Sequence, residues 1–315
     1  MDVLFYRSCA DRPLKQYEIR DWIRNDYGDQ IGKATISRHM QDLLREGRIF
    51  RKKGYYYNFL LTDEELRVIC DSILFAKQLP VDIVRSIFKK LIPETSPRRK
   101  SYLMNVEYLV NITRSENPFL YEVLEQIDLA IRQNRKVIVY PCTLIIDKGF
   151  DYFEEYLIDP FYIVTDKNRY YLLGGCDKHG IQIEPRRIDR IAKVKITDEP
   201  RKPFDYYWDE PYPFDIVRYL QEHIYMFPGK SVPIRMEILQ RRIGDFIDWF
   251  GRTYTVLKRS KDGRGMAEIS VRANETAVFY WAMQYSGIAT ILSPSSLRAQ
   301  LKDAFQAGAE KYADA

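Results

Sequence analysis

Two hydrophobic rhythms alternate along this chain, one helical and one of short extended runs, and together they predict its elements. Ile36, Met40, Leu43 and Leu44 fall at i, i+4, i+7 and i+8, which makes one apolar stripe about 100° wide on a helix. Arg38, Gln41 and Arg45 then take the opposite face. Gly47 is placed to end the helix, because glycine adopts the left-handed conformation at least cost. Residues 1–60 as a whole read as three short helices and a hairpin, the hairpin being two extended runs in Arg48–Asn58 folded around Lys52-Lys53-Gly54.

Thr62-Asp63-Glu64-Glu65 is a capping-box pattern, in which the threonine hydroxyl and the glutamate three residues on each satisfy a free amide. It predicts a helix through Leu66, Ile69, Cys70, Ile73 and Leu74 that Pro80 ends, then a second through Ile83, Val84, Ile87, Phe88 and Leu91 that Pro93 closes. Residues 94–101 have the composition of an exposed linker, and Leu120, Val123, Leu124, Ile127 and Ile131 predict one more amphipathic helix.

From Lys136 to about Glu199 the pattern becomes short extended runs (KVIVY, TLII, EYLI, FYIV, RYYLL, IQI, KVKI), which predict a small, strongly bent sheet or barrel. Within it, Tyr170 to Leu173 opens a hairpin that turns through Gly174, Gly175 and Gly180 and re-extends at Ile181-Gln182-Ile183. Pro200 to Pro213, rich in proline and aromatics, reads as an ordered linker and opens the 201–229 linker segment. After Gly229 the order βαββαβα, with a hairpin turn at Asp262-Gly263, predicts an antiparallel sheet covered by helices on one side. The expected class is α+β multidomain, with segments 1–60, 61–135, 136–200, 201–229 and 230–315.

Composition narrows the picture. A chain of 315 residues with 46% apolar and 30% charged residues is a folded protein of two or three domains. No apolar run approaches the ~20 residues of a membrane span, and charged Arg7 and Asp11 follow the first residues at once, so a cytoplasmic protein without a signal peptide is expected. Cys9, Cys70, Cys142 and Cys176 have no metal-ligand spacing and read as reduced, mostly buried thiols, with no metal and no cofactor. The net charge of +5 is modest, but its placement is uneven. Lys33 to Lys53 holds seven basic residues against Asp42 and Glu46, and Lys167 to Lys195 holds eight against Asp177, Glu184 and Asp189, so each stretch carries +5.

A helix with an open polar face beside a cationic hairpin suits duplex DNA, with side chains for base edges and charges for flanking phosphates. Lys33-Ala34-Thr35-Ile36-Ser37-Arg38 resembles the start of a winged helix-turn-helix recognition helix. That resemblance implies DNA contacts from Lys33, Thr35, Ser37, Arg38, Gln41 and Arg45, and phosphate contacts from Arg51, Lys52 and Lys53 of the wing. His39, beside the apolar stripe, reads as a half-buried packing residue. Such domains also serve as docking or dimer modules, and that alternative stays open.

In the second basic stretch, Tyr170-Tyr171-Leu172, Arg187-Ile188-Asp189-Arg190-Ile191 and the upstream Asp159-Pro160-Phe161 resemble the core of a WYL domain. The family's first aromatic is Tyr170 here, and Arg186 stands where an aromatic is usual. The resemblance implies a small Sm-like or SH3-like barrel that senses an anionic ligand, single-stranded nucleic acid or a nucleotide-like effector, in a homodimeric regulator. Arg187 and Arg190 are its first candidates, with Tyr140, Tyr171, His179 and Arg186 behind them: rings stack on bases and guanidinium groups hold phosphates. Strand alternation predicts Ile183, Arg187 and Asp189 on one face and Glu184, Arg186, Ile188 and Arg190 on the other. The same arginines are equally compatible with solvation or pairing to Asp177, Glu184 and Asp189, and any one tyrosine with core packing. Trp249-Phe250-Gly251, Trp281-Ala282-Met283-Gln284-Tyr285 and Leu292-Ser293-Pro294 resemble the C-terminal extension, WCX-like, that accompanies WYL domains.

Enzyme signatures do not appear: the chain has no G-x-x-x-x-G-K-[ST], G-x-S-x-G or H-E-x-x-H, and His39, His179 and His223 are isolated. The expectation is therefore a homodimeric transcriptional regulator that binds a double-stranded operator and no membrane. The alternative is a single-strand DNA- or RNA-binding accessory protein whose winged helix is a docking module. A third reading, a nuclease built on Asp159 and later acids, has little in the spacing to support it.

Overall fold

The computed structural model describes residues 1–8, 12–58, 61, 63–91, 117–145, 149–177, 180–261, 263 and 265–313. Cys9, Thr62 of the capping box, Pro93, the 94–101 stretch, His179 and Asp262 lie outside the described residues. The chain is mixed α/β and divides into two units, Met1–Glu116 and Asn117–Ala315.

The first unit opens with α1 (Asp2–Arg7), α2 (Gln16–Tyr27), α3 (Lys33–Arg45) and a hairpin of β1 (Ile49–Arg51) and β2 (Tyr55–Tyr57). Its core gathers Val3, Leu4, Leu14, Ile19, Ile36, Met40, Ile49 and Tyr55. Burying Ile36 and Met40 contributes about 1.5–3 kcal/mol each, and this sets the rotation of α3. Gly47, at φ 67°, reverses the chain after α3 as its sequence position predicts. Leu14 extends the hairpin by bridging to Tyr55. Gly54 permits this close approach, because a Cβ there would lie 2.9 Å from the Leu14 carbonyl oxygen. Two further helices, α4 (Asp63–Phe75) and α5 (Val81–Leu91), bury Leu66, Cys70 and Leu74 on one and Val84 and Phe88 on the other. Pro80 sits at the start of α5, where its carbonyl accepts from the Val84 amide, rather than at the end of α4.

The second unit begins with α6 (Leu120–Gln133), closed by left-handed Asn134. A β-rich stretch follows: β3 (Arg135–Ile145), β4 (Gly149–Tyr152), β5 (Tyr156–Asp166), β6 (Arg169–Cys176), β7 (Gln182–Arg187) and β8 (Ile191–Pro200). The strand order is β4-β3-β5-β6-β7, with β8 also paired to β3, and every pairing is antiparallel. α6, expected as part of the connector, instead buries Leu120, Val123, Ile127 and Ala130 and packs on β3, β5 and β8.

Two features of the sheet correct the sequence expectation. EYLI and FYIV are one continuous strand, β5. Gly174 and Gly175 are not a turn but lie inside β6, because both faces of the strand are closely packed: a Cβ would lie 2.4 Å from Ile158 at Gly174 and 2.2 Å from the Tyr207 ring at Gly175.

The 201–229 segment is a cover rather than a spacer. Tyr207 and Tyr219, with Phe204, Trp208 and Phe214 partly buried beside them, pack on Phe161, Tyr171, Leu173 and Ile183 of the sheet. Asp159, buried in β5, accepts hydrogen bonds from the Lys202 amide at 2.7 Å and the Tyr207 hydroxyl at 2.6 Å. The segment includes a short helix, α7 (Ile216–Glu222).

The last module runs β9 (Ser231–Leu239), α8 (Ile243–Phe250), β10 (Thr255–Arg259), β11 (Met266–Asn274), α9 (Glu275–Gln284), β12 (Ala289–Ser293) and α10 (Ser295–Lys311). Its antiparallel sheet, ordered β10-β11-β9-β12, places Ile234, Met236 and Ile238 against Phe246, Phe250, Trp281 and Leu297 of the helices.

Candidate nucleic-acid interface

Because Ile36 and Met40 face the core, helical geometry turns Lys33, Thr35, Arg38, Gln41 and Arg45 outward, and all five are exposed; Ser37, at the flank, is half-buried. Arg51, Lys52 and Lys53 are exposed on the hairpin, whose tip is bent by Lys53 at φ 60°. Ion pairing leaves most of this charge available. Arg45 lies 3.4 Å from Asp42 and Arg48 lies 3.2 Å from Glu46. Among the described residues Lys33, Arg38, Arg51, Lys52 and Lys53 make no ion pair.

Between α3 and the hairpin lies an open cleft of about 580 Å3 whose walls include Ser37, Gln41, Arg51 and Lys53. Lys15 and Gln16, at the start of α2, complete it. The sequence analysis missed these two, since nothing local to them signals a site. They arrive through the Leu14–Tyr55 bridge and a hydrogen bond from Gln16 Nε2 to the Tyr55 hydroxyl at 3.2 Å. The Arg51 guanidinium sits 5.5 Å from the Tyr55 ring centroid on the same wall. Three cations and several amide or hydroxyl groups around one cleft can grip phosphate oxygens and base edges. His39, expected to be half-buried, is exposed on the other side of the helix from the cleft.

The second candidate set, in the other unit, is more neutralised than its sequence suggests. β7 ends at Arg187 and the chain turns into a single 3₁₀ turn, Ile188–Arg190. The predicted alternation therefore stops: Ile188 is buried while Arg190 is exposed. Arg187 Nε donates to Asp189 Oδ1 at 3.0 Å and its terminal nitrogen to Oδ2 at 2.6 Å. Arg169, not singled out in the sequence, donates to the same Oδ2 at 2.8 Å. Two guanidinium groups thus share one buried carboxylate, and the hydrogen bond to Asp189 holds the Arg187 guanidinium above its ordinary pKa.

Tyr171 lies on the same side, 9% exposed within the aromatic core, so its ring has no free face for a base. Burial also raises its phenol pKa. Arg186 points from the opposite face of β7, is paired with Glu184 and stacks 4.8 Å from the Tyr156 ring. Tyr140 is half-buried on β3 beneath Lys193 Nζ at 5.8 Å, and a hydrogen bond to Glu155 raises its phenol pKa. The structure therefore brings Tyr171, Arg187 and Arg169 together and leaves Arg186, Arg190 and Tyr140 apart from them. Asp159, on which a nuclease reading depends, is buried and committed to the Lys202 amide and the Tyr207 hydroxyl.

No helix among the described residues is long and apolar enough to cross a membrane. Neither a family model nor a curated protein matches the chain. Among solved structures it is similar to proteasome accessory factor B/C (PafBC) of Arthrobacter aurescens, at 16% identity and TM-score 0.30, over 93% of this chain and 46% of that one. The chain thus spans about half the length of that relative. It is also similar to a CRISPR Cas-related protein, at 13% identity and TM-score 0.41, over 82% of this chain and 75% of that one. Similarities of this size establish neither family nor activity.

Proposed function

We propose that this protein is a homodimeric, cytoplasmic transcriptional regulator that binds double-stranded DNA through residues 1–60, folded as a winged helix-turn-helix. The observation that carries the reading is the cleft shared by α3 and the hairpin, where a helix seated by its apolar stripe turns a polar face outward beside unpaired cations. Arg38, Gln41 and Thr35 read base edges or phosphates, while Lys15, Arg51, Lys52 and Lys53 hold the flanking backbone. The central sheet acts as an Sm-like or SH3-like sensor of WYL type. An anionic effector there, near Arg169 and Arg187, competes with Asp189 for the two guanidinium groups and shifts the dimer between geometries of unequal DNA affinity.

Gel-shift titration against duplex fragments of the protein's own upstream DNA tests this. Arg38→Ala and Lys52→Ala are expected to weaken retention while leaving the fold intact. Unchanged retention in both variants overturns the reading. Binding to single strands in preference to duplex, lost in Arg187→Ala and not in Arg38→Ala, assigns the chain instead to single-strand binding. That reading is disfavoured by the burial of Tyr171.

A further inference from the structure

The hairpin of the first unit has a second face, chemically unlike the one that lines the cleft. Strand alternation sends Ile49 into the core and Arg51, on the same side, to the cleft wall, so Phe50 and its cross-strand partner Tyr56 turn the other way. Phe50 is 48% exposed and Tyr56 is half-buried, with ring centroids 5.7 Å apart and planes tilted by 49°. At that tilt the rings do not close face to face on each other, and part of each meets solvent.

Cations frame the pair. The alternate positions before and after Phe50 are Arg48 and Lys52, both exposed. Arg48 lies 3.2 Å from Glu46 with both side chains mostly in water, where solvent screens the attraction. Lys52 makes no ion pair among the described residues. Aromatic rings open to solvent between cations suit a strand of unpaired nucleotides: bases of any identity stack on the rings, and the charges hold successive phosphates. Paired bases are already covered by their neighbours in the duplex. Tyr171 of the second basic stretch is buried and offers no such ring.

We propose that the outer face of this hairpin binds unpaired nucleotides of a single-stranded nucleic acid, with a base stacked on Phe50 beside Tyr56 and the flanking phosphates held by Arg48 and Lys52. The site lies on the other side of the hairpin from the duplex cleft and stands independently of duplex binding. It assigns single-strand recognition to the first unit rather than to the central sheet.

The test uses two fluorescein-labelled octamers of equal charge, oligodeoxyadenylate and an abasic chain of tetrahydrofuran units, titrated into the full chain at one salt concentration and read by anisotropy. The adenylate is expected to bind about tenfold more tightly than the abasic chain, because only it can stack. Phe50→Ala should bring the two octamers to within about twofold of each other. Phe50→Leu should do the same while keeping apolar bulk in the hairpin, and it decides alone should the alanine variant fail to fold. Phe50→Trp should keep or widen the gap, and Lys52→Ala should weaken both octamers alike. Absent binding, or equal binding of the two octamers by the native chain, overturns the proposal. So does an unchanged ratio in Phe50→Leu, the result expected of a ring that only steadies the hairpin. Loss of the gap in Arg187→Ala with Phe50→Leu unaffected also overturns it and places single-strand binding on the central sheet. Retention of blunt duplex and its dependence on Arg38, measured separately, report on the other reading and leave these ratios unaffected.

Discussion

Among single residues, what distinguishes the two basic clusters is the fate of each charge. Arg38 and Lys52 are exposed and without ion pairs among the described residues, whereas Arg187 is tied to Asp189 through two hydrogen bonds. In duplex binding, Arg38→Ala is expected to cost about 1–3 kcal/mol and to relax sequence preference if it reads a base edge. Lys52→Ala should instead weaken all sequences alike and lower the slope of log K against log salt by about one, as loss of a phosphate contact does. Filter binding at several salt concentrations separates the two.

Asp166 supplies a pH signature in the other unit. Burial raises its carboxyl above the ordinary value against the pull of Lys167. The folded state therefore holds that proton more tightly than the unfolded chain. The associated stability is complete below the ordinary carboxylate pKa and is lost as pH rises through the raised one. Asp166→Asn should accordingly raise the melting temperature at pH 7 and change it little at pH 3. An equal change at both pH values would exclude this account.

At the scale of elements, the sheet and its aromatic cover are joined at one close contact. Gly175 in β6 is where the Tyr207 ring presses on the strand, and Tyr207 also donates to buried Asp159. Gly175→Ala should destabilise the second unit by about 1–3 kcal/mol through overpacking. Tyr207→Phe should cost about 1–3 kcal/mol by a different route, leaving one oxygen of a buried carboxylate without its donor. Denaturant titrations of the two variants measure these losses. A neutral result for Tyr207→Phe would mean that water replaces the hydroxyl. On the cationic side, the Leu14–Tyr55 bridge does comparable work: it brings Lys15 to the cleft without any pattern in the sequence around Lys15.

Across the molecule, a net charge of +5 understates the cationic cluster and overstates the second site. Five of the seven basic residues between Lys33 and Lys53 keep their charge unpaired among the described residues, while Arg169 and Arg187 share Asp189 and Arg186 pairs with Glu184. Duplex binding should therefore depend on salt far more steeply than the overall charge suggests, and effector binding at the second site much less so. Comparing the two salt slopes on the same preparation tests this distribution.

The sequence by itself determined the helices α3, α5 and α6 and the extended character of residues 136–199, where α3 turns its apolar stripe, and that charge collects in two stretches. These follow from periodicity and local composition, which act over a few residues. The tertiary structure alone decided which charges survive. Asp189 meets Arg169 across 20 residues of chain, Gly174 and Gly175 belong to a strand because Ile158 and Tyr207 press on them, and Lys15 reaches the cleft through the hairpin. The second guanidinium on Asp189 and the close packing on Gly174 and Gly175 come from neighbours distant in sequence, and no local rhythm records them.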